Sequence, residues 1–143
     1  MPISYMELER LAPQGDVLVV PVDGAVILDS IVSSEGMDIS YDMAGTITFN
    51  RAGYYSIDWY VAPQFGLTTD GSNWAVKTAI GGLTFIGSSH TKVAATIGFA
   101  IFRAAAGETA QLVNVSDGAI ALSKAVQSKA GLIVYGVAEQ FTS

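Results

Sequence analysis

The sequence lacks cysteine altogether, has a single histidine, and is poor in charge, with Asp, Glu, Lys and Arg making up only 14% of its 143 residues. Without cysteine, neither a disulfide framework nor a thiolate metal site is available. One imidazole leaves zinc, which takes three or four N, S or O ligands, without its usual partners. Seven Lys plus Arg against thirteen Asp plus Glu give a net charge of −6, so the clustered cations that bind phosphate backbones and anionic bilayers are missing. Nucleic acid and membrane are therefore not expected partners. No run reaches the roughly 18 apolar residues of a membrane-spanning helix. The most apolar stretch, Val93 to Gly107, is interrupted by Thr96 and Arg103. The N-terminus carries Glu7 and Glu9 where a signal peptide is basic, and no apolar segment follows directly, so export by that route is not expected.

What is present is apolar side chain, at 50% of the sequence. A domain of this length buries roughly 70% of the surface its unfolded chain exposes, so one core can form without staples. The scarcity of charge implies a surface that is either poor in charge or partly covered, most simply by another copy of the chain.

Apolar residues recur at period two in short runs separated by Gly, Asp, Asn and Ser, the pattern of strands joined by turns. The runs are Val17–Pro21, Ala25–Val32, Met37–Tyr41, Gly45–Asn50, Tyr54–Ala62, Trp74–Ile80, Leu83–Ile86, Ala94–Arg103, Ala110–Val115, Ala119–Leu122 and Leu132–Glu139. About ten short antiparallel strands in one domain predict a sandwich, jelly roll or barrel. The one segment with helical character is Tyr5 to Leu11, stopped by Pro13 and too short to stand unpacked, so residues 1–16 read as a short helix or an unpaired arm. The jelly-roll domain is then expected over 17–143. Pro63 to Asn73 reads as a surface loop, with Phe65, Asp70 and the neighbouring Trp74 as candidate ligand contacts.

Three strands carry large apolar groups on both faces. Tyr55, Ile57, Trp59 and Val61 alternate with Tyr54, Ser56, Asp58 and Tyr60. Ile97, Phe99 and Ile101 alternate with Gly98, Ala100 and Phe102, and Ile133, Tyr135 and Val137 with Leu132, Val134 and Ala138. One face fills a core and the other calls for a second cover, because aromatic patches are rare on soluble monomers; the alternatives are loops folded over the outer face or long central strands of a thick sandwich that are simply apolar. The expected core members are Phe49, Tyr55, Ile57, Trp59 and Phe99. The expected subunit interface uses Tyr54, Asp58, Tyr60, Phe102 and Tyr135, with Asp58 paired to Arg51, Arg103 or a tyrosine hydroxyl.

Phe49, Gly53, Tyr55 and Ile57 occur in the spacing F-x-x-x-G-x-Y-x-(apolar), which resembles the hallmark strand of the tumour necrosis factor-like and complement globular-head jelly rolls. Gly107-Glu108-Thr109-Ala110-Gln111-Leu112 and Ala130-Gly131-Leu132 are similar to two later strand motifs of that superfamily. Within it, Gly24 to Asp29 followed by Gly53 to Trp59 looks most like the C-terminal domain of bacterial collagen-like spore-surface (exosporium) glycoproteins. The sequence departs from that pattern in having no Gly-X-Y stalk and an added stretch 1–16. The resemblance implies a jelly roll of two five-stranded sheets, assembled as a homotrimer whose inner sheets pack around a three-fold axis. It implies a non-enzymatic structural or interaction protein at a spore or cell surface, or otherwise extracellular. The implied partners are surface-layer proteins, a glycan or a host receptor. The alternative it leaves open is a ligand-binding trimer, such as a phage fibre tip or a secreted signalling protein.

Catalytic chemistry finds little support. His90 lies in Gly87-Ser88-Ser89-His90-Thr91-Lys92, the composition of a polar turn rather than of a nucleophile and its base. No cofactor is expected. Calcium, which takes oxygen ligands, could be held by Glu35, Asp38 and Asp42, with Asp70 in a Gly-containing loop, although no D-x-D-x-D-G pattern is present. Asn114-Val115-Ser116 fits the N-glycosylation pattern, which matters only on a eukaryotic secretory route.

Overall fold

The computed structural model describes residues 4–11, 19–66, 71–91, 94–123 and 126–137, and within them the chain is all-β with no helix. Thirteen strands form there: β1 Tyr5–Arg10, β2 Val19–Val20, β3 Ser30–Glu35, β4 Ile39–Tyr41, β5 Ile47–Phe49, β6 Gly53–Val61, β7 Pro63–Gly66, β8 Ser72–Thr78, β9 Thr84–Ser89, β10 Thr96–Ala104, β11 Glu108–Asn114, β12 Ile120–Leu122 and β13 Ala130–Gly136. Two five-stranded sheets, in the orders β10-β6-β13-β1-β3 and β4-β5-β11-β8-β9, face each other as a sandwich, and a small sheet β2-β12-β7 accompanies them. Every pairing is antiparallel.

Tyr5–Arg10 is a strand, correcting the helical reading. Its Glu, Leu, Met and Arg favour helix locally, but β13 pairs with it along Tyr5↔Tyr135 to Arg10↔Ala130 while β3 pairs on its other side. Met6 and Leu8 point into the core on that alternation. Two hydrogen-bonded neighbours and two buried side chains outweigh a weak intrinsic preference. Residues 5–10 are therefore part of the jelly roll and not an arm; residues 1–3 and 12–16 lie outside the described residues. The expected loop 63–73 is likewise partly strand, since β7 pairs with β12 and β8 begins at Ser72.

Between β2 and β3 the chain changes sheets instead of forming the single strand Ala25–Val32. The Val26 N–H donates to the Leu112 carbonyl in the second sheet at 2.7 Å, and the Asp29 N–H to the Glu9 carbonyl in the first at 3.0 Å. The Tyr41 hydroxyl pins the crossing by donating to the Leu28 carbonyl (2.6 Å) and accepting the Leu28 N–H (3.0 Å).

The core fills the space between the two large sheets. Phe49 stacks obliquely on Tyr55 at 4.5 Å between ring centroids and meets Phe102 edge-on at 5.5 Å, while Phe85 closes on Phe102 at 5.6 Å. Tyr55 is fully buried and spends its hydroxyl on the Arg51 carbonyl at 2.6 Å. Burial pushes that phenol up to about 12.

Candidate functional site: the outward face of the first sheet

Strand register sets out the face that the first sheet turns away from the core. One row across it runs Phe99, Asp58, Ile133, Glu7 and Ser33; the next runs Ile101, Ser56, Tyr135, Tyr5 and Glu35; a third runs Ile97, Tyr60, Gly131 and Glu9. The edge strand β10 presents a ridge of large apolar groups, with Ile97 74%, Phe99 77% and Ile101 63% exposed. Ile133, Tyr135 and Tyr54 extend the apolar area inward. Carboxylates gather on the other side of the face, at Glu7, Glu9 and Glu35, with Asp58 between Phe99 and Ile133. A recess of about 280 Å³ is lined here by Glu7, Glu9, Asp58, Tyr60, Ile97 and Ile133.

Tyr60 lies across Gly131 at the floor of this face. A Cβ at Gly131 would fall 2.4 Å from Tyr60 Cε1, so only glycine lets the ring lie there, and its hydroxyl bonds Ser128. Tyr54, Asp58, Tyr60 and Tyr135 all stand on this outward face.

Phe102 and Phe99 lie on the sides opposite to those expected. Phe102 is 5% exposed and packs between Phe49 and Phe85, whereas Phe99 projects outward. The side of β10 that carries Phe99 turns outward for a steric reason. Register places Gly98 beside Trp59, Ala100 beside Ile57 and Phe102 beside Tyr55. A Cβ at Gly98 would lie 2.0 Å from Trp59 Cζ2. The inner side of β10 is small at Gly98 because Trp59 of β6 already fills that space. The legible signal was the small pair Gly98 and Ala100 on β10, which register sets opposite the large pair Trp59 and Ile57.

Trp74, expected at a ligand loop, is fully buried in β8 and belongs to the core. Phe65 is on β7 opposite Ala121, and Asp70 lies outside the described residues. Phe49, Tyr55, Ile57 and Trp59 are buried. Among the described residues no three His, Asp or Glu side chains gather to hold a metal ion, so Glu35, Asp38 and Asp42 do not form a calcium cluster. Asp42 instead closes its own turn: the N–H groups of Thr46 and Ala44 donate to Oδ1 at 2.9 and 2.7 Å and hold its carboxyl below the usual range. Asn114 is unsuited to carry a glycan, being fully buried with its Nδ2 donating to the Val20 carbonyl at 2.9 Å and the Gly118 carbonyl at 3.1 Å.

Two functional carriers of structure escaped the sequence reading. Glu108, 3% exposed, accepts the N–H groups of Ile80 (2.8 Å) and Thr109 (2.8 Å) on Oε1 and of Gly81 (2.6 Å) on Oε2, tying the β8–β9 turn to β11. Burial pulls this carboxyl upward, but the N–H groups of Ile80, Gly81, Thr109 and Ala79 outweigh it and hold it below the usual glutamate range. Lys129 is also buried, its Nζ donating to the Val126 carbonyl at 2.8 Å. Nothing local in the sequence marks either as interior.

No family model and no curated protein sequence matches the chain. Solved structures do resemble it. Murine APRIL superposes with a TM-score of 0.70 at 12% identity, covering 95% of this chain and 100% of that one. The Eiger TNF from S. frugiperda gives 0.70 at 10% identity, over 99% and 96%. The globular domain of the zebrafish complement 1qA protein gives 0.64 at 9% identity, over 97% and 98%. At such identities the likeness is one of fold, and the two facing five-stranded antiparallel sheets of this chain are a tumour necrosis factor-like jelly roll.

Proposed function

We propose that the chain is a non-enzymatic interaction module that assembles as a homotrimer through the outward face of its first sheet. The observation that carries this reading is the apolar ridge of β10. Ile97, Phe99 and Ile101 each forgo about 1.5–3 kcal/mol of burial in the single chain, which a partner surface restores. A three-fold assembly is heterologous, joining two different patches of neighbouring copies. The face supplies two: the protruding ridge, and the flatter area around Ile133, Tyr135 and the Tyr60-covered Gly131. The likeness of Gly24 to Asp29 and Gly53 to Trp59 to collagen-like spore-surface glycoproteins supports a finer reading, a globular head at a spore or cell surface that meets surface-layer proteins or a receptor.

Light scattering after gel filtration tests the assembly. The expected particle has about three times the 14.9 kDa chain mass, and Phe99→Asp converts it to a folded monomer with an unchanged far-ultraviolet spectrum. A monodisperse wild-type monomer overturns the reading. For the surface location, antibody against the domain is expected to label intact spores or cells of the source, and labelling only after lysis removes that finer claim.

A further inference from the structure

Asp58 occupies the middle of the apolar face proposed for assembly. In register it lies between Phe99 on the edge strand β10 and Ile133 on β13. Phe99 is 77% and Ile133 41% exposed, and Asp58 between them is exposed as well. Position alone therefore links the three: a surface broad enough to cover both Phe99 and Ile133 also covers the carboxylate. The same register puts Glu7 on the far side of Ile133, so this isoleucine stands between two acids. Asp58, Glu7 and Glu9 share the recess of about 280 Å³ whose walls include Tyr60, Ile97 and Ile133. A second copy seated on this face meets apolar side chains and carboxylates together.

The groups that face Asp58 can be followed strand by strand. β6 itself carries Tyr54 and Tyr60 on this side, and β13 carries Tyr135. Beyond them β1 brings Tyr5, Glu7 and Glu9, and β3 brings Glu35. Arg103 of β10 is a cation on the same face, two rows from Asp58 and opposite Tyr54, where it already holds an interaction. Phenols as a class ionise near about pH 10, so in mildly acidic solution the carboxylates are the groups that lose charge. A carboxylate covered by apolar groups is stripped of water, which disfavours its ionised form relative to the protonated acid. The assembled copies then bind more protons than the separate chains, and association strengthens as pH falls. Repulsion between the acids of facing copies acts in the same direction. Salt tells the two effects apart, because it screens exposed charges but does not rehydrate a covered one.

We propose that Asp58 makes assembly proton-linked: the copies join more tightly as its carboxylate takes up a proton and loosen as it ionises. The inference rests on the homotrimer reading, and its test separates the two. Sedimentation of the full chain in about 0.5 M sodium chloride, at about pH 7.5 and about pH 5, reads the association constant. The wild-type trimer is expected to tighten about tenfold or more on acidification. Asp58→Asn is expected to associate tightly at both values and to respond less than about threefold. Glu7→Gln, on the other side of Ile133, is expected to keep most of the wild-type response. Far-ultraviolet spectra of the same samples check that each chain stays folded. Four results overturn the proposal: a trimer indifferent to pH, a trimer that loosens in acid, a response that Asp58→Asn leaves intact, or one that Glu7→Gln removes as fully. A folded chain that stays single at both pH values, as wild type and as Asp58→Asn, overturns the trimer reading and this inference with it, whereas a trimer indifferent to pH overturns this inference alone.

Discussion

Glu108 shows how a single side chain sets a property of the whole domain. Its carboxylate is buried and ionised because backbone N–H groups around the β8–β9 turn all aim at it. The folded carboxyl ionises more easily than the unfolded one, so its stabilisation is complete above the ordinary glutamate range and is lost as pH falls through the folded value. Glu108→Gln is expected to cost about 1–3 kcal/mol at pH 7. Urea unfolding should show that gap closing as pH drops from about 5 toward 2; an equal gap at both ends would show that the charge contributes nothing. At this scale the sequence was partly readable. Gly107-Glu108 was visible as the start of a strand, but not what the carboxylate meets, because Ile80 and Gly81 lie far away along the chain. The exchange of Phe99 and Phe102 has the same origin. Alternation along β10 told which residues share a face, while the choice between faces depended on Trp59, supplied by another strand.

Strands were more legible than single side chains, because alternation is a local signal and burial on one face enforces it. The runs that become β6, β10, β11 and β13 can be read directly. What misled was β1, whose six residues look helical alone and become a strand only when β13 and β3 flank it. The sheet change at Val26 to Asp29 was hidden for a similar reason, since its hydrogen bonds go to Leu112 and Glu9, on two different sheets. Removal of residues 1–11 would expose an edge of β13 and take Met6 and Leu8 from the core. It is expected to abolish cooperative unfolding, whereas Leu8→Ala, which keeps the strand, should cost roughly 2–5 kcal/mol. A truncated chain that unfolds as sharply as the full one in urea would show β1 to be dispensable.

For the molecule as a whole, the shortage of charge is explained by where the remaining charges sit. Net charge is −6, and part of it stands at Glu7, Glu9, Glu35 and Asp58 on the same face as the β10 ridge. Three associated copies would carry three times that charge, and such self-repulsion is screened by salt. Sedimentation at micromolar concentration is therefore expected to show the proposed trimer tightening severalfold as sodium chloride rises from about 10 to about 150 mM. A trimer that loosens with salt would mean that ion pairs, not apolar contact, hold the copies together.

The placement of the two tryptophans gives the molecule an optical property. Trp59 and Trp74 are both interior, and neither indole N–H meets a hydrogen-bond partner among the described residues. Both chromophores therefore sit in apolar surroundings, shielded from solvent quenchers, and emit toward the blue end of the indole range. In the proposed assembly, separation of the copies would wet Phe99 and Tyr135 but neither indole. Emission colour then follows melting alone, and a plate reader can tell a folded single chain from an unfolded one without a label.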